Sequence, residues 1–524
     1  MSLTISDFYQ GKHILIFGST TFTGKVLLEK LLRSCSNVER IYCPIQSHET
    51  NSPVDTFNEI YASKLFDRVR SINPKFQDKI LPFDQKLLCS SDETTVDRDK
   101  IDLCYYIAHN SVDFQEQNLK DLITINVIDL KTNLQFLKTC SQLKSLVYLS
   151  SIYANIDCPF IDECIYPCGI QPEKLIDAFD WMDQEMLALA TPKLIGPKPN
   201  AFTFTHWLAE TVLANERTFL PPISIVRVSI IGAAWKEPYP GWIEKSNGPS
   251  ELFVAAGRGY LRSMKSDSQD ILDIVPVDIA VNLLIASLWS KSLDEQQQQQ
   301  QTSKDIKIYH CTSSGLNPFH WQEMSNYLTE YSKRIPYEHA FRRPNLSITS
   351  HSLVHDSYVF FSHLIPAYLA DFGLRLIGRQ AHVVNIYKNL HRILLSLESF
   401  IHRDEIQCSY DSLNALKQLV NETNNASEFY FDIRALHWPT YIESYLIGTK
   451  RYVLNENMNC LNSAQKHLTN LRNIRWTFNT ILLVLLWRIF ISKRPTARNL
   501  WYFIINFFVA KFVRFFKIFN AGNN

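Results

Sequence analysis

The segment GSTTFTG, residues 18–24, has the residue types and spacing that bind a phosphate group. Gly18 permits a tight turn, and Gly24 allows a following helix to approach a strand closely. The amides and the positive dipole end of that helix then face a pyrophosphate. Such a loop alone is not specific. It supplies these candidate phosphate-binding residues: Gly18, Ser19, Thr20, Thr21, Phe22, Thr23 and Gly24.

The eleven cysteines do not indicate a metal site. No CxxC pair occurs, and Cys164 with Cys168 lacks the second pair that zinc needs. We therefore expect free thiols in a reducing compartment and no bound metal. The first residues, MSLTISDFYQGK, contain no apolar core of a signal peptide, so we expect a cytosolic active face.

Strand and helix patterns surround the glycine loop. A short apolar run, His13–Phe17, precedes the loop, and an amphipathic stretch, KVLLEKLLRSC, follows it. Strand, glycine turn, helix and strand form the first unit of a doubly wound sheet. Further buried strands are predicted at residues 41–45, 103–107, 146–149 and 223–228. The alternation predicts an α/β fold with a mainly parallel sheet between about residues 10 and 330.

A chain of 524 residues is too long for one core and suits two or three domains. We predict an α/β domain over residues 1–340. From near Arg342 the sequence becomes helical and aromatic, which predicts a helical domain over residues 341–465. The polyglutamine run at residues 296–301 is predicted to be a solvated surface loop.

Residues 466–524 form a basic, aromatic tail. The net charge of +1 gives no reason to expect nucleic acid as a partner, but no acidic residue follows Glu456. Two apolar stretches, residues 481–487 and 500–510, are shorter than the roughly 18 residues of a spanning helix. The tail is therefore predicted to lie on a membrane surface or form a shallow hairpin there. The alternative is a helix packed on the second domain.

Many ordered segments resemble the alcohol-forming fatty acyl-CoA reductases. They include YPCGIQPEKLIDAFDWMD, TPKLIGPKPNAFTFTHWLAE, IIGAAWKEPYPGWIEKSNGP and LFVAAGRGYLRSM, followed by FRRPNLSITS and FIHRDEIQCSYDSLNAL. The likeness covers nearly all of the chain. It implies a doubly wound, Rossmann-type sheet of the extended short-chain dehydrogenase kind, followed by the family's helical C-terminal domain.

The resemblance also implies a reaction. The family reduces a long-chain acyl-CoA to a fatty alcohol by two successive hydride transfers from NADPH. In the family a Tyr supplies a proton to the carbonyl oxygen, and a Lys four residues later lowers the pKa of that Tyr and binds the nicotinamide ribose. A Ser or Thr orients the same oxygen, and an Asn on a helix supports the proton relay.

Two of these catalytic positions are substituted here. The family's PNTYTFTKALAE reads PNAFTFTHWLAE, so the Tyr is replaced by Phe202 and the Lys by His206. Phe has no ionisable proton, and a neutral His lacks the fixed charge of Lys, although it can bond a ribose hydroxyl. Asn126 in TINV and Ser151, beside Ser150 in LSSIYAN, match the family's Asn and Ser. Each of these alone also suits turn or capping chemistry.

The nucleotide-binding positions differ as well. Thr21 replaces a glycine of the family's loop, and Gln46 in IYCPIQS replaces the Arg that binds the 2′-phosphate of NADP. Gln85 and Lys86 stand where the family has Gly-Asp near the adenine; Lys86 binds a phosphate or is a solvated surface lysine. The bulky pair at residues 109–110, His-Asn, replaces small residues and is expected to crowd the nicotinamide.

Two hypotheses follow. The first is an active NADPH-dependent reductase in which His206 or a water donates the proton, since loss of a positioned acid costs roughly 10² to 10⁴ in rate. The second is a non-catalytic relative that binds acyl-CoA, lipid or a reductase subunit. We favour the second, because several changes surround one pocket. A plain membrane scaffold, by contrast, predicts no acyl-CoA binding.

The partners implied are long-chain acyl-CoA, membrane lipid through the tail, and a homo- or hetero-oligomer. The expected location is the cytosolic face of the endoplasmic reticulum, a peroxisome or a lipid droplet.

Overall fold

The structure, a computed structural model, describes residues 4–46, 52–89, 96–107, 119–244, 248–297, 305–401, 406–423, 426–492, 494–496, 498–503 and 505–506. Its strands are β1 (His13–Phe17), β2 (Arg40–Ile45), β3 (Ile80–Asp84), β4 (Leu103–Ile107), β5 (Ser145–Ser151), β6 (Phe160–Ile161), β7 (Ile223–Val228), β8 (Ile230–Gly232), β9 (Ser263–Lys265), β10 (Ile274–Pro276), β11 (Lys307–Cys311), β12 (Ser347–Thr349) and β13 (Gln407–Cys408).

Its α-helices are α1 (Ile5–Phe8), α2 (Phe22–Ser34), α3 (Pro53–Ala62), α4 (Asp67–Ile72), α5 (Leu119–Ile123), α6 (Asp129–Lys138), α7 (Pro172–Trp181), α8 (Gln184–Ile195), α9 (Ala201–Glu216), α10 (Gly248–Gly257), α11 (Val277–Gln297), α12 (Trp321–Arg334), α13 (Ser352–Tyr358), α14 (Ile365–Leu376), α15 (Val383–Ile401), α16 (Asp411–Asn421), α17 (Trp438–Gly448) and α18 (Leu461–Leu486).

Seven strands form one parallel sheet in the order β11-β7-β5-β4-β1-β2-β3. The strands β2 and β3 lie on one side of β1, whereas β4, β5, β7 and β11 lie on the other. The direction of winding therefore reverses between β1 and β4, as it does in a doubly wound sheet. The predicted α/β fold class is confirmed.

The apolar runs predicted three strands at their observed bounds, namely β1, β4 and β7. The predicted strand pattern did not include β3. Its sequence, ILPFD, contains Pro82, and only Ile80 and Phe83 are buried. Because β3 is an edge strand, it tolerates a residue that donates no ladder hydrogen bond.

Helices cover both faces of the sheet. On one face Leu27 of α2 and Leu284 of α11 belong to the apolar core, and on the other Leu134 of α6 and Leu208 of α9 do so. Every residue of β4 and β5 is buried as a result. Burial on both faces explains why these strands read as continuous apolar runs and not as alternating ones.

The C-terminal part is helical and joins the first part through strand pairs and close contacts. The strand β12 pairs with β9, and β13 pairs with β6. The hydroxyl of Tyr441 in α17 donates to the carbonyl of Ala233 at 2.9 Å. A Cβ on Gly241 would lie 2.0 Å from the carbonyl oxygen of Ser444, so α17 seats against a glycine turn. The domain boundaries at residues 340 and 465 stay predictions.

The polyglutamine run begins inside a helix, contrary to the predicted loop. The helix α11 continues through Gln296 and ends at Gln297, while residues 298–301 lie outside the described residues. Glutamine propagates a helix well, so a run that follows a buried helix extends it.

The basic tail begins as the helix α18. Its first turns pack on the protein, where Ala464 and Leu468 are buried. From Arg472 to Leu486 the side chains are exposed on every side. Across the residues described, no helix combines the length and apolarity needed to cross a membrane.

A buried ion pair crosses the interior between α9 and β7. Glu210 accepts hydrogen bonds from Arg227 Nε at 3.0 Å and Nη2 at 2.7 Å, and from Ser150 Oγ at 2.6 Å. Arg227 Nη1 lies 3.3 Å from His310 Nε2. All four side chains are buried, and Ser150, Arg227 and His310 are in register across three neighbouring strands.

The same arginine anchors segments from outside the sheet. Its guanidinium donates to the carbonyls of Asp162 and Cys164 at 3.1 and 2.7 Å. Burial, with Arg227 nearby, lowers the pKa of His310 to about 3, so this ring is neutral. Its Nδ1 lies 2.8 Å from the carbonyl oxygen of Ser409, next to β13. The pair therefore connects the sheet, α9 and the C-terminal part.

We expect Arg227→Met to lower the free energy of unfolding by about 3–5 kcal/mol, because it leaves the Glu210 carboxylate buried without a partner. Adding Glu210→Leu should recover a large part of that loss. Urea unfolding followed by circular dichroism measures both variants. The matched control is Arg70→Met, whose exposed pair with Asp67 contributes about 0–1 kcal/mol. A loss in Arg227→Met no larger than in this control would contradict the expectation.

Candidate active site

The glycine loop lies at the switch point of the sheet, where β1 ends and α2 begins. Gly18 has a φ of +75°, and a Cβ there would lie 2.2 Å from the carbonyl oxygen of Ile107 in β4. A Cβ on Gly24 would lie 2.1 Å from the carbonyl oxygen of Gly18. Only glycine fits either position, so the predicted tight turn and close helix approach are both present.

The side chains between the two glycines are partly committed to the protein. Thr21 caps α2: its Oγ1 accepts from the Gly24 amide at 3.1 Å and donates to the Gly18 carbonyl at 2.7 Å. That amide belongs to the first turn of the helix, which is the part that binds a phosphate. Ser19 and Thr23 are buried, and the remaining residues of the loop, Thr20 and Phe22, are half-buried.

The end of β2 holds an amide bonded to a carboxylate. Gln46 follows β2, and its Nε2 donates to Asp129 Oδ2, at the start of α6, over 2.9 Å. Burial raises the pKa of Asp129, against the effect of this hydrogen bond. Lys86 is exposed, and its backbone amide donates to Asp84. The group bonded to the Gln46 amide is therefore a carboxylate and not an arginine guanidinium.

The helix α9 carries the two substituted catalytic positions. Asn200 caps it by accepting from the Thr203 amide at 2.9 Å. One turn apart, the rings of Phe202 and His206 lie edge to face with centroids 4.5 Å apart. His206 is fully buried, and Phe202 is 8% exposed. The two side chains thus pack against each other in an apolar setting.

Asn126 is brought to the same helix. It lies in a π-helical segment, Thr124–Ile128, a form that often occurs at functional sites. Its Nδ2 donates to Thr205 Oγ1 at 3.1 Å, and that hydroxyl donates to the carbonyl of Phe202 at 3.1 Å. Thr205 therefore connects Asn126 with the backbone of Phe202.

Ser151 ends β5 and begins the short helix Ile152–Asn155, which contacts α9. Its Oγ accepts from the Tyr153 amide at 3.3 Å, which is capping chemistry. Ser150, the residue before it, bonds to Glu210 and belongs to the buried network. The two serines thus have structural partners of their own.

Two residues near this site were not predicted. Phe400 of α15 places its ring 6.3 Å from Phe202 and 4.7 Å from Tyr153, so the C-terminal part supplies one wall. The ammonium of Lys198 is buried, donates to Ala154 O at 2.7 Å and Asp157 Oδ1 at 2.6 Å, and lies over the Trp207 ring.

The local sequence predicts only part of this arrangement. Lys198, in GPKPN, is close to Phe202 along the chain, but the segment does not indicate which residues the lysine contacts. No local signal connects Phe400 with residues some 200 positions earlier. The His-Asn pair at residues 109–110, which the sequence places against the nicotinamide, lies outside the described residues.

The turn at Gly18 and the start of α2 suit a pyrophosphate. Phe202, at the position where the family resemblance implies a proton donor, presents a phenyl ring. Within the ranges that the structure describes, no group of three or more His, Cys, Asp or Glu side chains is placed to hold a metal ion.

Comparisons with known proteins agree with this scaffold. Residues 16–284 match the NAD-binding family model described as male sterility protein, and residues 362–456 match the Sterile model with the same description. Fatty acyl-CoA reductase 1 of Mus musculus is 41% identical over 520 residues, and that of Homo sapiens is 40% identical; each match covers 98% of both chains. Fatty acyl-CoA reductase 2 of Bos taurus is 35% identical, again over 98% of both chains.

Solved structures share the fold at low identity. The terminal R domain of the myxalamid PKS-NRPS pathway has a TM-score of 0.53 and 17% identity, covering 84% of this chain and 90% of its own. The reductase domain of a Mycobacterium tuberculosis non-ribosomal peptide synthetase has a TM-score of 0.52 and 14% identity, covering 85% and 97%. The sequence identity to these reductases extends along 98% of both chains. It shows that the chain belongs to the fatty acyl-CoA reductase family.

Proposed function

We propose that this family member binds long-chain acyl-CoA at the cytosolic face of an intracellular membrane and reduces it very slowly or not at all. The observation that carries the proposal is the buried edge-to-face pair of Phe202 and His206, at the two positions where the family has Tyr and Lys.

The chemistry explains why this pair matters. Hydride transfer to a thioester or an aldehyde leaves negative charge on the carbonyl oxygen, which must be protonated. Phe202 has no proton to give, and the ring of Phe400 adds apolar surface beside it. His206 is fully buried against the ring of Phe202, and an imidazole lacks the fixed positive charge that the family's Lys brings to the ribose. Loss of a positioned acid typically costs roughly 10² to 10⁴ in rate.

A nicotinamide dinucleotide suits part of the site. The family's cofactor is NADPH, which supplies the hydride when bound; Gly18, Gly24 and the first turn of α2 would hold its pyrophosphate. The 2′-phosphate has no matching charge at Gln46, where the carboxylate of Asp129 lies 2.9 Å from the amide nitrogen. We therefore expect weak NADPH binding with little preference over NADH.

A slow reductase is the second candidate. The hydrogen bond from Asn126 to Thr205 and the position of Ser151 at the end of β5 support it, because both belong to the family's arrangement. In that case His206 or a water must donate the proton. The effect of His206→Ala on turnover separates the two candidates.

The membrane part of the proposal rests on α18. Its exposed stretch contains Ile474, Trp476 and Phe478 among basic residues and no acidic ones. A helix with exposed apolar side chains and basic flanks suits the interface of an anionic membrane.

The cofactor proposal is tested by calorimetric titration with NADPH and NADH. The wild-type protein should bind NADPH weakly. Gln46→Arg should raise the ratio of NADPH to NADH affinity by about tenfold, since a charge-assisted contact to a phosphate contributes roughly 1.5 kcal/mol. The control Gln135→Arg changes an exposed glutamine of α6 that accepts a hydrogen bond from Lys138, and it should leave the ratio unchanged. Low-micromolar NADPH binding by the wild type, with clear preference over NADH, would show that this part is wrong.

Catalysis is tested by measuring alcohol formation from palmitoyl-CoA and NADPH. The wild type should show little or none. Phe202→Tyr with His206→Lys should restore part of the activity, because it supplies both the acid and the ribose contact. Adding Gln46→Arg and Thr21→Gly should increase the activity further.

The control for this series is Phe202→Leu with His206→Lys, which restores the charge but not the acid. Robust wild-type activity that His206→Ala abolishes would overturn the proposal and make His206 the proton donor. If every variant folds and binds palmitoyl-CoA but none reacts, the chain serves by binding alone.

A further inference from the structure

The segment 352–377 presents an apolar surface to the outside of the protein. It runs through α13, the π-helical turn Val359–Leu364 and α14. Six of its large apolar side chains are each more than 60% exposed, and we call them the outer face: Leu353, Phe361, Leu369, Phe372, Leu376 and Ile377. Single exposed apolar residues are ordinary, but a contiguous group of this size marks an interaction surface.

The outer face is not the side of the segment that packs on the protein core, because the opposite side of the same segment is already buried. His363 and Ala367 are buried there. Asp371 is also buried, and its carboxylate accepts the backbone amides of residues 382, 383 and 384 at 2.9–3.0 Å, which fixes α14 to the start of α15. The packed side of the segment is therefore occupied, and its exposed side is apolar, which is typical of a helix at an interface.

The charges around the face are mainly basic. The segment contains two acidic residues: Asp356, which is exposed in α13, and Asp371, whose carboxylate accepts hydrogen bonds from the backbone amides at the start of α15. Arg375 and Arg379 are exposed at the C-terminal end of the face. An apolar surface with a basic rim matches a bilayer whose headgroups are anionic.

An arginine cluster lies behind the segment, next to residues 362 and 363. Arg262 is 8% exposed; its backbone amide donates to His363 Nε2 and its guanidinium donates to the carbonyl of Arg343. Arg342 donates to the Ser362 carbonyl and to Tyr387. Burial, together with Arg342 and Arg475, lowers the pKa of Arg262 to about 10. Arg475 is the exposed member of this group.

Arg475 belongs to α18, so the exposed part of the tail begins near this segment. We propose that the outer face of segment 352–377 docks into the interface of an anionic phospholipid bilayer, with the exposed Arg375, Arg379 and Arg475 beside the headgroup phosphates. The inference rests on the proposed membrane association and is independent of the proposed chemistry.

A second copy of this chain suits the face less well. A two-fold interface places the same patch of both copies in contact. The exposed basic residues Arg375 and Arg379 outnumber the one exposed carboxylate of the segment, Asp356, so two copies would place mainly like charges in one interface, which opposes association.

The experiment measures sedimentation of the full-length protein with vesicles of phosphatidylcholine, alone or with one quarter phosphatidylserine. The triple substitution Phe361→Ser, Leu369→Ser, Phe372→Ser should lower the partition coefficient about a hundredfold, because it removes apolar area that would be buried in the bilayer. The matched control replaces three apolar side chains that are exposed elsewhere on the protein: Ile72→Ser, Leu189→Ser and Phe219→Ser. These side chains are 61%, 77% and 70% exposed. The control should bind as the wild type does.

Arg475→Gln tests the charged edge. It should weaken binding about fivefold on vesicles that contain phosphatidylserine and leave binding to pure phosphatidylcholine unchanged. Soluble inorganic phosphate at millimolar concentration should not displace the wild-type protein from these vesicles. Displacement by phosphate would show that the arginines bind free phosphate and not a lipid headgroup. Leu353→Ser, at a side chain 83% exposed, repeats the apolar test with an expected loss of about tenfold if the triple variant fails to fold.

A tail variant, Ile481→Ser with Leu483→Ser and Leu485→Ser, separates this inference from the proposed role of α18. If the tail variant loses binding and the face variant keeps it, the face does not dock and the tail does. If the face variant loses binding and the tail variant keeps it, the face docks alone. A face variant that becomes monomeric by light scattering, with vesicle binding unchanged, would assign the surface to a second copy and overturn the proposal.

Discussion

The carboxylate of Glu210 and the guanidinium of Arg227 meet in the interior of the protein, and the position of the active-site helix depends on their contact. A buried charge is tolerated only when it is paired and hydrogen-bonded. Ser150 and His310 complete the pair from the neighbouring strands. This network fixes α9 on the sheet and, through the Ser409 carbonyl, fixes the C-terminal part to the same row of strands.

That constraint holds the positions at which the family resemblance implies catalytic residues. Phe202 and His206 lie on α9 two turns and one turn before Glu210, so the anchored helix presents whichever side chains they carry. Here they form an aromatic pair with centroids 4.5 Å apart. On the nucleotide side, Thr21 caps the helix that a phosphate would otherwise face. A fold and the chemistry of its site can vary independently.

The helix α15 joins the two regions on which the proposals rest. Its first residues are capped by Asp371 of α14, beneath the outer face. Near its other end Phe400 contacts the wall of the active site. Its 19 residues span about 28 Å, so one helix connects the proposed lipid surface with the candidate active site.

Local sequence patterns are enough to predict the strands β1, β4 and β7, the glycine turn and the substituted residues, because each depends on an apolar run, a glycine spacing or a segment in register with the family. They do not predict that Arg227, in the strand ISIVRV, pairs with Glu210, or that Phe400 lies against Phe202. Nor do they predict that the apolar residues of segment 352–377 point outward. Periodicity indicates that a segment has an apolar side, but the elements that cover that side come from distant parts of the chain, and their choice depends on packing and charge pairing in three dimensions.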